Sequence, residues 1–171
     1  MARTFDMRLL ACDPYVNEVE LGYVGATKVD MATLLRESDF VVTIPLLNEE
    51  TFHLVGADEF AQMKPTAYFI NVSRGPVVDE PALIDALRAG RIAGAALDVF
   101  EQEPVDPANP LLAMDNVIVT PHSLCWTDEC FHNMASTGLA SIVDALSGRV
   151  PQFVVNREVL EHPRVKPWFA R

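Results

Sequence analysis

Five polar residues have the types and surroundings to do chemistry: Asp13, Arg74, Asp98, Glu103 and His122. His122 can exchange a proton near neutral pH, and a Glu103 carboxylate beside it favours the imidazolium. Arg74, within Asn71-Val-Ser-Arg-Gly75, can grip a carboxylate through two parallel hydrogen bonds, while Gly75 lets the backbone turn closely. Asp13 closes an apolar run, and an acid directly after a strand suits the paired hydroxyls of an adenosine ribose and repels a 2′-phosphate. Each residue also has a plainer reading. Asp13-Pro14 is a turn former, Arg74 a solvated loop arginine, and His122 a turn residue bonded to backbone after Pro121. His53, His132 and His162 lack comparable placement and read as structural or surface. The spacing from His122 through Cys125 to Cys130 fits no common zinc module, so no metal is assigned. The sequence holds no G-x-S-x-G, Walker or H-E-x-x-H motif.

The elements that must position these residues alternate. Met7–Cys12 reads as a strand, Lys28-Val29 as a short second one, and Phe40–Ile44 as a third with apolar residues on both faces, as a covered parallel sheet requires. Tyr68–Val72, Gly94–Val99 and Val117–Thr120 follow. Between them Asp30 caps a helix from Met31 to about Glu37, Ala57–Gln62 forms a short helix, and Asp79 caps a helix from Glu80 to Ala89, ended by Gly90. Thr127 caps a long helix to Ser147 whose residues Phe131, Met134, Ala135, Leu139, Ile142, Val143 and Leu146 predict one broad buried face. The tail from Val150 to Arg171 shows no periodicity, and its Trp168 and Phe169 need a surface to cover them. Strands separated by helices predict βαβ units and an α/β, doubly wound parallel sheet. In such sheets ligands sit beyond the carboxyl ends of strands. Asp13, the turn Pro45-Leu46-Leu47, Ser73-Arg74, Asp98 with Glu103, and His122 all fall on that rim.

Composition bounds the partners. The 171 residues carry 13 basic and 24 acidic side chains, a formal charge of −11, which argues against nucleic acid or an anionic membrane surface. Half the residues are hydrophobic and 22% charged, enough apolar content for a packed core. No apolar run approaches the roughly 20 residues of a spanning helix. The three cysteines, Cys12, Cys125 and Cys130, form no C-x-x-C pair. They read as reduced core or near-core residues of a cytoplasmic protein.

Over about residues 2 to 150 the chain resembles the NAD-binding domain of the D-isomer-specific 2-hydroxyacid dehydrogenases, with phosphoglycerate and glycerate dehydrogenases among them. The resemblance rests on Met63-Lys-Pro65, Asn71-Val-Ser-Arg-Gly-Pro-Val-Val-Asp-Glu80 and Ala82-Leu-Ile-Asp-Ala-Leu-Arg-Ala-Gly-Arg91. Gly94-Ala-Ala-Leu-Asp-Val-Phe-Glu-Gln-Glu-Pro104 and Asn116-Val-Ile-Val-Thr-Pro-His122 complete it. The resemblance implies a Rossmann-like fold and NAD as cofactor. It also implies hydride transfer between a small 2-hydroxy acid and its 2-keto acid, in a homodimer. Arg74 would bind the substrate carboxylate, His122 would be the acid/base, and Glu103 would orient and charge it. Asp13 would hold the adenosine ribose and Asp98 the nicotinamide end, while Thr43, Pro45, Leu46, Leu47, Val72 and Ser73 line the cofactor beside Arg74 and His122.

The pattern departs in three places. The G-x-G-x-x-G expected upstream of Ala2–Asp13 does not occur, so the first strand, the glycine loop and most of the substrate domain are expected to be missing. Residues 1–150 are then a truncated NAD-binding domain, residues 151–171 a tail that returns to the missing domain, and the isolated chain is inactive. Trp126 stands where small residues are common after Pro121-His122, and the turn Pro45–Thr51 is one residue longer than the usual form. A non-catalytic, NAD-binding corepressor-like protein and a truncated inactive product are the competing readings.

Overall fold

Pairing is parallel throughout, as helix-separated strands require. The computed structural model describes residues 2–169. β1 (Leu9–Ala11) pairs with β2 (Ala26–Lys28), while β3 (Phe40–Thr43), β4 (Tyr68–Asn71), β5 (Gly94–Leu97) and β6 (Val117–Val119) form a four-stranded sheet in chain order. Among the described residues no ladder joins β1 to β3, so each of these strands lies at a sheet edge. Register sets Thr43 beside Asn71, Asn71 beside Leu97, and Leu97 beside Val119. The carboxyl ends of the four strands therefore share one rim. Every strand except β2 is shorter by one to three residues than its apolar run suggests, and β2 runs over Ala26–Lys28 rather than the expected Lys28-Val29.

Local chemistry starts the helices. α1 (Glu18–Tyr23) carries a capping box between Asn17 and Glu20. α2 (Met31–Glu37) is capped by Asp30, which accepts the Thr33 N–H at 2.7 Å. α3 (Ala57–Gln62) precedes α4 (Glu80–Arg88), where Asp79 accepts the Ala82 N–H at 3.0 Å. Leu35, Phe60, Leu83 and Leu87 of α2 to α4 pack with Val41, Phe69, Ile92 and Leu97 in one core. Phe60 meets Phe69 edge to face, 5.2 Å between centroids.

That core covers one face of the sheet. Val41 is 4% exposed, whereas Phe40 is 50%, Val42 46% and Ile118 71% exposed. The expected two-sided cover is therefore corrected. The three helices of the core gather on the Val41–Phe69 side.

The chain divides into two compact units, Met1–Ser123 and Leu124–Arg171. In the second, Thr127 caps α5 (Asp128–Leu146) by accepting the Cys130 N–H. The predicted apolar face of α5 exists but is not buried: Phe131, Met134, Leu139, Ile142, Val143 and Leu146 are all exposed. Helical spacing aligns side chains on one face; only a neighbouring surface can bury them. The tail also gains order absent from its sequence pattern. A 3-10 turn spans Arg157–Glu161, and in α6 (Lys166–Phe169) the Trp168 indole N–H donates to the Ala145 carbonyl. Cys12 and Cys125 are exposed and Cys130 half-buried, correcting their reading as core thiols. No helix among the described residues is long and apolar enough to cross a membrane.

Candidate active site

Asn71 organises the turn that presents Arg74. The last residue of β4, its side chain lies on the buried face, 2% exposed. Its Oδ1 accepts the Thr43 hydroxyl at 3.1 Å, the Ser73 N–H at 3.0 Å and the Ser73 hydroxyl at 2.9 Å. Its Nδ2 donates to the Arg74 carbonyl at 3.1 Å. One buried amide thus satisfies polar groups from two strand ends that burial would otherwise leave costly. Arg74 projects outward, with Nη1 donating to the Ser73 carbonyl at 2.7 Å.

Beyond β5 and β6 the acid and the histidine meet. Glu103 Oε2 is 2.8 Å from His122 Nδ1, and Glu103 Oε1 accepts the Phe100 N–H at 3.0 Å. With Nδ1 engaged by the carboxylate, Nε2 is the nitrogen left to face a ligand. Partial burial pushes the Glu103 carboxyl up. The His122 hydrogen bond, the Phe100 N–H and the charges of His122 and Arg74 together outweigh it and hold the group below the ordinary 4.5. Arg74, Glu103 and His122 are therefore one electrostatic cluster drawn from three separate strand ends.

His122 has φ of 52°, in the left-handed region that only few non-glycine residues occupy. Asp98 fixes that turn from both sides: its Oδ1 accepts the Thr120 hydroxyl at 2.6 Å and the Ser123 N–H at 2.9 Å. Asp98 is buried, 6% exposed as a residue. It anchors the turn that carries the histidine.

The remaining rim residues divide by burial. Thr43 and Ser73 are each 7% exposed, with hydroxyls turned toward Asn71. Val72 and Pro45 are half-buried, and Leu46 and Leu47 are exposed. The turn after Leu47 is closed by Asn48 and Thr51, each accepting the other's backbone N–H. Asp13 stands on the β1–β2 sheet, where Oδ1 accepts the Tyr15 N–H at 2.8 Å. The Tyr15 hydroxyl donates to Glu50 at 2.6 Å and ties this loop to the turn after β3. That hydrogen bond and the Glu50 charge push the Tyr15 phenol up.

Asp13 Oδ2 makes no hydrogen bond among the described residues, so beyond β1 one carboxylate oxygen is open to accept from a diol such as the ribose of a dinucleotide carries. Sequence reasoning missed Asn71, Thr120 and Tyr15. Asn71 and Thr120 end their apolar runs with a polar residue, a signal in the sequence; nothing local marks Tyr15.

Residues 1–123 match the family described as D-isomer specific 2-hydroxyacid dehydrogenase, NAD binding domain. Glyoxylate/hydroxypyruvate reductase B from Shigella boydii serotype 4 (strain Sb227) is 52% identical over 137 residues, which are 80% of this chain and 42% of that protein. The same figures hold for the protein of that name from Escherichia coli (strain K12 / DH10B). The chain thus spans less than half the length of these curated relatives. Among solved structures, D-lactate dehydrogenase with NAD+ from Lactobacillus jensenii superposes with a TM-score of 0.82 at 35% identity, over 91% of this chain and 50% of that one. A glyoxylate reductase from Paecilomyes thermophila gives 0.82 at 31% identity, over 92% and 47%.

Proposed function

This chain belongs to the D-isomer specific 2-hydroxyacid dehydrogenase family, and on that premise we propose that it forms the NAD-binding and acid/base half of an enzyme that reduces small 2-keto acids. The observation that carries the proposal is the Glu103–His122 pair at 2.8 Å with the Arg74 charge acting on the same carboxylate. Glyoxylate and hydroxypyruvate, the compounds in the names of the reductase relatives, are the first substrates to try.

NADH, when bound there, would supply the hydride that C2 of the keto acid receives. Arg74 holds the substrate carboxylate in a two-point grip, which fixes the keto carbon and lowers the entropic part of the barrier. His122 donates the Nε2 proton to the forming hydroxyl and is reprotonated from solvent; in the oxidative direction it accepts that proton. Glu103 holds Nδ1 and compensates the imidazolium charge. Asn71 and Asp98 keep the Arg74 and His122 turns in place. Asp13 takes the adenosine ribose, with Thr43, Pro45, Leu46, Leu47, Val72 and Ser73 along the cofactor. The net charge of −11 suits neither nucleic acid nor anionic membrane. A cytoplasmic homodimer is the state we assign.

Turnover of a 2-keto acid panel with NADH by the full-length protein carrying this chain tests the reading. Reduction of glyoxylate or hydroxypyruvate is the expected result. NADH binding without turnover of any member would reject an enzyme.

A further inference from the structure

Two carboxylates outside the cluster, Glu80 and Glu101, join the loop that bears Arg74 to the loop that bears Glu103. Each caps the other's backbone. Glu80 Oε2 accepts the Glu101 N–H at 3.0 Å, and Glu101 Oε2 accepts the Glu80 N–H at 3.3 Å. Their outer oxygens are also taken: Asn109 Nδ2 lies 2.6 Å from Glu80 Oε1, and His53 Nε2 lies 2.6 Å from Glu101 Oε1. The bracket sits where the two loops touch. A Cβ built on Gly75 would fall 1.8 Å from the Phe100 carbonyl oxygen and 2.4 Å from the Glu101 nitrogen, so only glycine permits the contact. Arg74 directly precedes Gly75, and Phe100 supplies the N–H that fixes Glu103.

We infer that Glu80 and Glu101 are positioning residues that set the separation between Arg74 and the Glu103–His122 pair. The inference rests on the reductase reading for its kinetic consequence but on geometry alone for its structural one. Neither carboxylate lies on the ligand-facing rim residues assigned above. They act through the loops. Substrate carboxylate and keto oxygen must be met together by Arg74 and His122, and a misplacement of about 1 Å between such groups can cost about 10²-fold in rate.

Glu101→Gln and Glu101→Ala separate geometry from charge, since both remove the charge but Gln keeps an acceptor for the Glu80 N–H and a group for His53. Titration of the Glu103 carboxyl by carbon-13 NMR in the 171-residue chain is the first readout. Loss of the Glu101 charge is common to both variants and cancels from their comparison. Loss of the bracket draws Arg74 away and raises the Glu103 midpoint, so Glu101→Ala should titrate above Glu101→Gln. In the full-length protein, Glu101→Ala should lower kcat/KM for the keto acid about 10- to 100-fold, while Glu101→Gln recovers most of it. Asn109→Ala, which is neutral and releases the outer anchor of Glu80 together with the cap that Asn109 Oδ1 provides to the Leu111 N–H, should move both readouts the same way to a smaller extent, and it decides the matter if Glu101→Ala does not fold. Equal Glu103 midpoints and equal kcat/KM in the Ala and Gln variants overturn the inference. A wild-type protein without turnover overturns the reductase reading alone, because the titration still decides the bracket.

Discussion

His122 Nδ1 and Glu103 Oε2 stand 2.8 Å apart, and the opposite oxygen of the same carboxylate is tied at 3.0 Å to the Phe100 N–H. The histidine is thereby oriented by a group that is itself oriented. Such a chain restricts the ring to one tautomer without burying it, since the side chains are 42% and 38% exposed.

The first prediction concerns pH. Glu103 titrates below 4.5 in the folded chain, so its pairing stabilises the fold fully above that ordinary value and is lost as pH falls through the lowered folded value. Exposure and solvent screening limit the contribution to under about 1 kcal/mol. In His122→Ala the Glu103 midpoint should rise toward 4.5, and stability should lose part of its dependence on pH in the acid range. Carbon-13 NMR titration and urea unfolding at acid and neutral pH check both halves; an unmoved Glu103 midpoint would contradict the pairing.

Asn71→Leu should destabilise the chain by about 3 kcal/mol, because the Thr43 and Ser73 donors and the Arg74 carbonyl lose their common partner in a site closed to water. Urea denaturation followed by fluorescence measures it. A cost below about 1 kcal/mol would show that these groups find other partners.

Two glycines should respond in opposite directions. Gly75→Ala drives a Cβ into the Phe100 carbonyl and should cost about 3 kcal/mol or more, as overpacking against backbone does. Gly138 lies within α5, and nothing lies within 4 Å of its added Cβ. Gly138→Ala should therefore stabilise by about 0.5–1 kcal/mol through helix propensity and a less flexible unfolded chain. Thermal melts of both variants test the contrast, and similar shifts would contradict it.

Much of the frame is legible in the sequence because its signals are local. Asp30, Asp79 and Thr127 announce helix starts through a short acceptor side chain ahead of unsatisfied N–H groups. The order Asp13, Arg74, Glu103, His122 is legible as residues following apolar runs. α1 escapes because its apolar residues Val19, Leu21 and Tyr23 alternate rather than recur at helical spacing, although its Asn17–Glu20 capping box stands in the sequence. The exposed state of α5 and of the Phe40–Val42 face is not legible at all, since spacing aligns apolar residues but does not supply their cover. Likewise the bonds of Asn71 and the Glu80–Glu101 bracket join loops distant along the chain, and no local pattern encodes them.

Asp13 should make the full-length protein favour NADH over NADPH. Its carboxylate accepts from a ribose diol and repels a 2′-phosphate. Asp13→Ala should narrow the ratio of kcat/KM between the two cofactors by about tenfold or more, as loss of about 1.4 kcal/mol would. Better turnover with NADPH than with NADH in the wild type would contradict the assignment.

The most direct test of the proton-transfer role is kcat of His122→Ala in the full-length protein, measured alongside its NADH affinity by fluorescence titration. Removing the group that donates to the forming hydroxyl should lower kcat about 10²- to 10⁴-fold, with NADH bound almost as tightly as in the wild type. A variant that keeps near-wild-type kcat would contradict the assignment of His122 as the acid/base.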